Sequence, residues 1–158
     1  MELIRGFHNI SAQHKGCVAT IGAFDGVHHG HQAVLQQLMA KGRELNLPST
    51  VVVFEPLPRE FFSPHEAPAR LMSFREKFAA LDAMGIDRVM RIRFNDRFRE
   101  MGAMPFIRKL FVDGLDAKYI VVGDDLRFGR DRSGGFGMLK DAGKTYGFEV
   151  MDTATLKQ

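Results

Sequence analysis

The stretch Gly16-Cys-Val-Ala-Thr-Ile-Gly-Ala-Phe-Asp-Gly-Val-His-His-Gly-His31, running on through Gln32-Ala-Val-Leu-Gln-Gln-Leu-Met39, decides the fold. Cys17 to Ile21 is a short apolar run between Gly16 and Gly22, the pattern of a buried strand. Past the glycine-rich turn, Val34, Leu35, Leu38, Met39 and Leu45 recur at the helical period, and Pro48 forbids continuation. Thr50 to Phe54, with three consecutive valines, suits a second strand covered on both faces. A strand, a crossover helix and a strand in this order imply parallel pairing.

The same alternation extends to the C-terminus. Ser73 and Glu76 form a capping-box pattern ahead of Phe74, Phe78, Leu81 and Met84, with Gly85 as the stop. A strand is expected near Arg88 to Arg93. Pro105 opens a helix carrying Phe106, Ile107, Leu110 and Phe111, closed by Gly114. Tyr119 to Val122 is a fourth strand, Met138 to Tyr146 a helix ended by Gly147, and Phe148 to Met151 a fifth strand. Only Pro56 to Pro68 breaks the rhythm, because four of the six prolines fall there and make it a long loop. The expectation is a three-layer α/β fold with a mostly parallel, five-stranded sheet.

A single domain accounts for 158 residues, of which 45% are hydrophobic. Cys17 is the only cysteine, so no internal disulfide is possible, and its apolar neighbours predict a buried thiol in a reducing compartment. The N-terminus MELIRGFHNI lacks the apolar core of a signal peptide and no run is long enough to span a membrane, so a cytoplasmic protein without membrane contact is expected. The net charge of +3 argues for no nucleic-acid partner. Between Arg88 and Lys109, however, seven basic residues face only Asp96 and Glu100. Most of these read as a solvated face, and a minority as steering for an anionic substrate.

In a parallel sheet, ligands sit beyond the carboxyl ends of the strands where strand order reverses. The segments after the strands begin at Gly22, at Glu55 and at Gly123, and they are rich in glycine, charge and histidine. His28 and His31 lie three apart at the mouth of the first helix, so one turn sets both imidazoles on one side, at the positive end of the helix dipole. Gly30 between them has no Cβ to hold a phosphate away from the backbone. Together they describe a phosphate cradle. The competing readings are an exposed histidine cluster and a zinc site, for which Asp25 is the nearest third ligand. Neither a dinucleotide fingerprint nor a P-loop is present.

The H-x-G-H signature at His28 to His31 resembles the nucleotidylyltransferase superfamily. Three ordered segments, Ile21 to His31, Val53-Phe-Glu-Pro-Leu-Pro-Arg-Glu-Phe-Phe62, and Val122-Gly-Asp-Asp-Leu-Arg-Phe-Gly129 with Arg132 and Gly134, are similar to the FMN adenylyltransferase domain of bacterial bifunctional riboflavin kinase/FAD synthetases. The resemblance spans nearly the whole chain. It implies a Rossmann-like α/β/α nucleotidylyltransferase fold and transfer of AMP from ATP to FMN, giving FAD and pyrophosphate, with Mg2+ accompanying ATP. By the same likeness His28 and His31 are catalytic. Gly22, Phe24, Asp25, Gly30, Gly123, Asp124, Asp125 and Arg132 fall around the nucleotide, with Phe24 and Asp25 shaping the loop before His28 and Arg132 approaching nucleotide or flavin. Phe54, Pro56, Phe61 and Phe62 match the flavin-side segment, where aromatic rings can stack on an isoalloxazine. Each phenylalanine taken singly reads equally well as core, and Asp124 and Arg132 equally well as solvated turn residues.

Two departures from the family pattern stand out. Leu126 stands where the family usually has phenylalanine, and the S-S-T-x-[IV]-R segment with which the family helps hold the triphosphate is absent from residues 1–158. Residues 1–158 are therefore expected to be an adenylyltransferase domain lacking its C-terminal end, with impaired activity, whose full-length form carries a riboflavin kinase domain. The alternatives are a non-catalytic flavin- or nucleotide-binding module, and an H-x-G-H enzyme acting on pantetheine phosphate or nicotinate mononucleotide.

Overall fold

The computed structural model describes residues 1–22, 24, 29–56, 73–123 and 126–152, with the backbone alone at 29–31. Its strands are β1 (Glu2–Arg5), β2 (Cys17–Ile21), β3 (Ser49–Phe54), β4 (Arg88–Ile92), β5 (Ala117–Val122) and β6 (Glu149–Asp152). They form one six-stranded sheet in the order β1-β4-β3-β2-β5-β6, and every pairing in it is parallel. The sequence suggests five of these strands. The sixth, β1, is an edge strand with only Ile4 fully buried, so four residues flanked by charge carry no legible alternation. Its place comes from register against β4, closed at the two ends by Glu2 N–H to Asp87 O at 3.0 Å and Gly6 N–H to Arg91 O at 2.9 Å.

The helices are α1 (His29–Leu45), α2 (Phe74–Met84), α3 (Asp96–Arg99), α4 (Ala103–Ile107) and α5 (Phe136–Tyr146), and α4 runs on as a π-helical segment, Arg108–Gly114. The capping box at α2 is present in full, with Ser73 Oγ accepting from Glu76 N–H and Glu76 Oε1 accepting from Ser73 N–H, each at 3.1 Å. Gly85 ends α2 at φ 101° and Gly147 ends α5 at φ 88°, both left-handed conformations that favour glycine. Asn95 caps the short α3, a turn too brief for periodicity to reveal.

Successive residues of the central strands feed opposite layers. Val18, Val51, Val53, Val89, Tyr119 and Val121 pack under α1 and α2 through Val34, Leu35, Leu38 and Leu81. Cys17, Ala19, Ile21, Val52, Met90, Ile120 and Val122 pack under α4 and α5 through Phe106, Ile107, Leu110, Phe111 and Leu139. Chirality explains the division: the chain steps from β2 to β3 to β4 in one direction, then returns across the sheet to β5 and β6 in the other. Right-handed crossovers moving in opposite directions must cover opposite faces. The reversal therefore lies between β2 and β5.

Cys17 is fully buried, with Sγ 3.8 Å from Leu115 O, and burial pushes its thiol up to about 11. At pH 8 the native thiolate population is then on the order of 10²-fold below that of the unfolded chain. Labelling by an aromatic disulfide reagent should be slower in buffer than in denaturing urea by at least that factor. Equal rates would mean that the β2 thiol reaches solvent in the native state.

Candidate functional site

The carboxyl ends of β2, β3 and β5 meet where strand order reverses. From β2, the Gly22 N–H donates to Val52 O at 3.1 Å, which carries the β2–β3 pairing one residue further. The chain then turns at Phe24, whose φ of 51° is unusual for a residue with a side chain. Its ring folds back over Gly22, where an added Cβ would come 2.9 Å from Phe24 Cε2. Phe24 is only 3% exposed and packs with Val34, Leu35 and Val18. Its ring thus lies beneath the start of the turn. The first turn of α1 begins at His29, so the backbone of Gly30 and His31 sits at the helix mouth on the carboxyl side of the sheet. His28 and Asp25 lie outside the described residues, as does the His31 side chain.

From β3 comes Phe54, half-buried at the strand end and continued into Pro56 by a cis peptide. Its ring lies 5.9 Å from Phe94, 5.5 Å from Phe98 and 6.4 Å from Phe106. Phe106 in turn lies 5.5 Å from Phe128. A row of rings therefore joins the end of β3 to the segment after β5, on the α4 face. Sequence reading placed Phe54 in a candidate site and Phe106 in a helix core, but not Phe94, Phe98 or Phe128 beside them. These rings come from four separate segments, and no spacing along the chain connects them. Phe61 and Phe62 lie outside the described residues.

From β5, Gly123 is partly exposed and its carbonyl accepts from Leu126 N–H at 3.3 Å, turning the chain. Asp124 and Asp125 lie outside the described residues. Beyond them Phe128 and Gly134 form a two-way antiparallel bridge, with Phe128 N–H to Gly134 O at 3.2 Å and Gly134 N–H to Phe128 O at 2.8 Å. Any side chain at Gly134 would collide with the Phe128 ring. Arg132 is exposed at φ 57° on the hairpin thus closed, and Arg127 and Arg130 are exposed beside it.

The basic segment from Arg88 to Lys109 is dispersed over the fold. Arg88 donates to His14 O and Gln13 O, each at 3.1 Å, Arg91 lies 5.1 Å over the Phe74 ring, and Lys109 lies 4.6 Å over Phe7. Arg88 and Arg91 are partly buried and serve edge pairing and packing, whereas Arg93, Arg97, Arg99, Arg108 and Lys109 are exposed, which supports the solvated-face reading for most of the seven. Among the described residues no group of three or more His, Cys, Asp or Glu could hold a metal, and no helix is long and apolar enough to cross a membrane.

A wholly parallel sheet with helices on both faces and a strand-order reversal between β2 and β5 defines a doubly wound α/β domain, the class in which ligands are held beyond the carboxyl ends of the strands at the reversal. The chain belongs to the FAD synthetase family, which it matches over residues 10–158. It is 50% identical over 157 residues to the bifunctional riboflavin kinase/FMN adenylyltransferase of Pseudomonas fluorescens, covering 99% of this chain and 50% of that protein. It is 51% identical over 156 residues to the protein of the same description from Escherichia coli K12, covering 98% of this chain and 50% of that one. The chain thus spans about half the length of the curated relatives it matches. In fold it is similar to a crystal structure described as a macrolide-efflux protein from Streptococcus pneumoniae, with a TM-score of 0.78 at 24% identity, covering 96% of this chain and 50% of that one. At that identity the likeness bears on architecture alone.

Proposed function

We propose that this domain transfers AMP from ATP to FMN, forming FAD and pyrophosphate. The observation that carries the proposal is the backbone of Gly30 and His31 in the first turn of α1, beside the β2/β5 reversal, in a chain of the FAD synthetase family. A phosphate monoester is already largely ionised at neutral pH, so the attacking oxygen of FMN needs no strong base. That oxygen bonds to the α-phosphorus of ATP as the bond to the β-phosphate oxygen breaks, and pyrophosphate leaves. The work left to the protein is alignment of two anions and stabilisation of the charge that develops between them.

His28 and His31 donate N–H bonds to the α-phosphate and leaving group, helped by the free amides of the first turn of α1. Gly30 lets the phosphate reach that backbone. Arg132, with Asp124 and Asp125, takes the nucleotide side, while Phe54, Pro56, Phe61 and Phe62 take the flavin side, backed by the row through Phe106. Mg2+ bound with ATP would neutralise phosphate charge and would need only one or two carboxylates from the chain, for which Asp25, Asp124 and Asp125 are the candidates by residue type. In the longer protein a riboflavin kinase half would supply FMN, and both halves would work in the cytoplasm.

A version of the chain extended through the S-S-T-x-[IV]-R segment, incubated with ATP, Mg2+ and FMN, should yield FAD, separated by chromatography, and residues 1–158 should yield little. Pantetheine phosphate and nicotinate mononucleotide should yield no adenylylated product. Binding of FMN and ATP without any FAD from either version would favour a non-catalytic binding module instead.

A further inference from the structure

The hairpin after β5 meets the start of α4 through a close backbone approach at Gly129 as well as through the Phe128 ring on Phe106. Gly129 adopts φ 80° and ψ 174°, a region essentially confined to glycine. A Cβ there would come 2.7 Å from Ala103 Cα and 2.8 Å from both Ala103 N and Ala103 Cβ. Next to it the Arg130 N–H donates to Met101 O at 2.8 Å. The following residues, Asp131 at φ 59° and Arg132 at φ 57°, are consecutive left-handed residues that carry side chains. Such conformations persist only where the surroundings over-determine them, and clusters of them mark functional segments. Here the Phe128–Gly134 bridge closes the hairpin behind, and the Gly129–Ala103 contact closes it in front.

The side chains so placed are Arg130, Asp131, Arg132 and Ser133, all exposed. Among the described residues Arg127, Arg130 and Arg132 form no ion pair, although Asp131 lies between two of them. Guanidinium groups held on a preset backbone, with no carboxylate partner among the described residues, suit a polyanion, and fixing them beforehand spares the ordering cost of binding.

We propose that Gly129 and Ala103 form a positioning pair that sets where Arg132 meets the triphosphate of ATP, an inference that rests on the adenylyl-transfer reading. Neither residue touches ligand. Both act through the hairpin.

ATP and FMN titrations of the wild-type chain, Gly129→Ala, Arg132→Ala and the double variant, each with a thermal melt, test this. Either single substitution should weaken ATP binding roughly tenfold or more, the worth of a charge-assisted hydrogen bond. The double variant should be no more than about twofold worse than the weaker single, because Gly129 acts through Arg132. FMN affinity should stay within about threefold throughout. Ala103→Val crowds the same contact from the helix side and should reproduce the loss and the non-additivity; it completes the cycle if Gly129→Ala fails to fold. Additive losses, or ATP affinity unchanged in both crowded variants, would overturn the positioning role while leaving adenylyl transfer standing. A folded wild-type chain that binds neither ATP nor FMN would overturn the functional reading and this inference with it.

Discussion

Replacing His28 or His31 by alanine is expected to slow FAD formation by about 10²–10³ while leaving FMN affinity within a few-fold of wild type. The asymmetry follows from when the proposed bonds matter. A ground-state phosphate already has solvent and helix amides to satisfy it, whereas charge on the α-phosphate and on departing pyrophosphate develops only at the transition state. Donors fixed at a helix mouth gain most at that point, since they need no reorganisation. His31 falls in the first turn of α1, so substitution there removes a side chain and leaves the backbone amides in place. Single-turnover rates beside FMN titrations for the same variants would measure the split. Near-normal turnover in either variant would remove both imidazoles from the mechanism, and loss of bound zinc from the variants would favour the metal reading.

Phe106→Ala should cost about 3–5 kcal/mol of folding stability, the range for deleting a fully buried aromatic ring. Phe106 is 1% exposed and is the hub of the ring row, within 6.4 Å of Phe54, 5.6 Å of Phe98, 6.3 Å of Phe111 and 5.5 Å of Phe128. Its neighbours come from the end of β3, from α3, from the π-helical segment and from the hairpin after β5, so no single element can shift to fill the space. Phe106→Leu keeps much of the volume and should cost less, about 1–2 kcal/mol. Urea unfolding of the variants would give both values. A loss below about 1 kcal/mol for the alanine variant would mean that the row collapses readily and does not brace the crevice.

The alternation of strands and helices was legible because the periods of apolar residues differ between them, and because the stops are chemical. Gly85 and Gly147 end helices in a conformation glycine favours, and Ser73 with Glu76 starts one by satisfying free amides. These are local effects, complete within a few residues of chain. The edge strand β1 was not legible, since half of its surface faces solvent and its identity lies in register with β4, some 85 residues away in sequence. The turn after β2 shows the same division. Its glycines and histidines mark a helix mouth on sequence grounds, but only packing reveals that Phe24 folds inward over Gly22.

By itself the sequence determined the α/β class, where the long helices stop, and the three segments that follow strands. It could do so because backbone propensity, capping and motif spacing act over short distances along the chain. Tertiary structure alone decided the strand order, and with it the reversal between β2 and β5 that brings two of those segments together. It also decided the ring row through Phe106 and the seating of Gly129 on Ala103, contacts between elements whose order along the chain says nothing about their distance. Those placements follow from burying both faces of one sheet with right-handed crossovers, a condition that only the assembled chain satisfies.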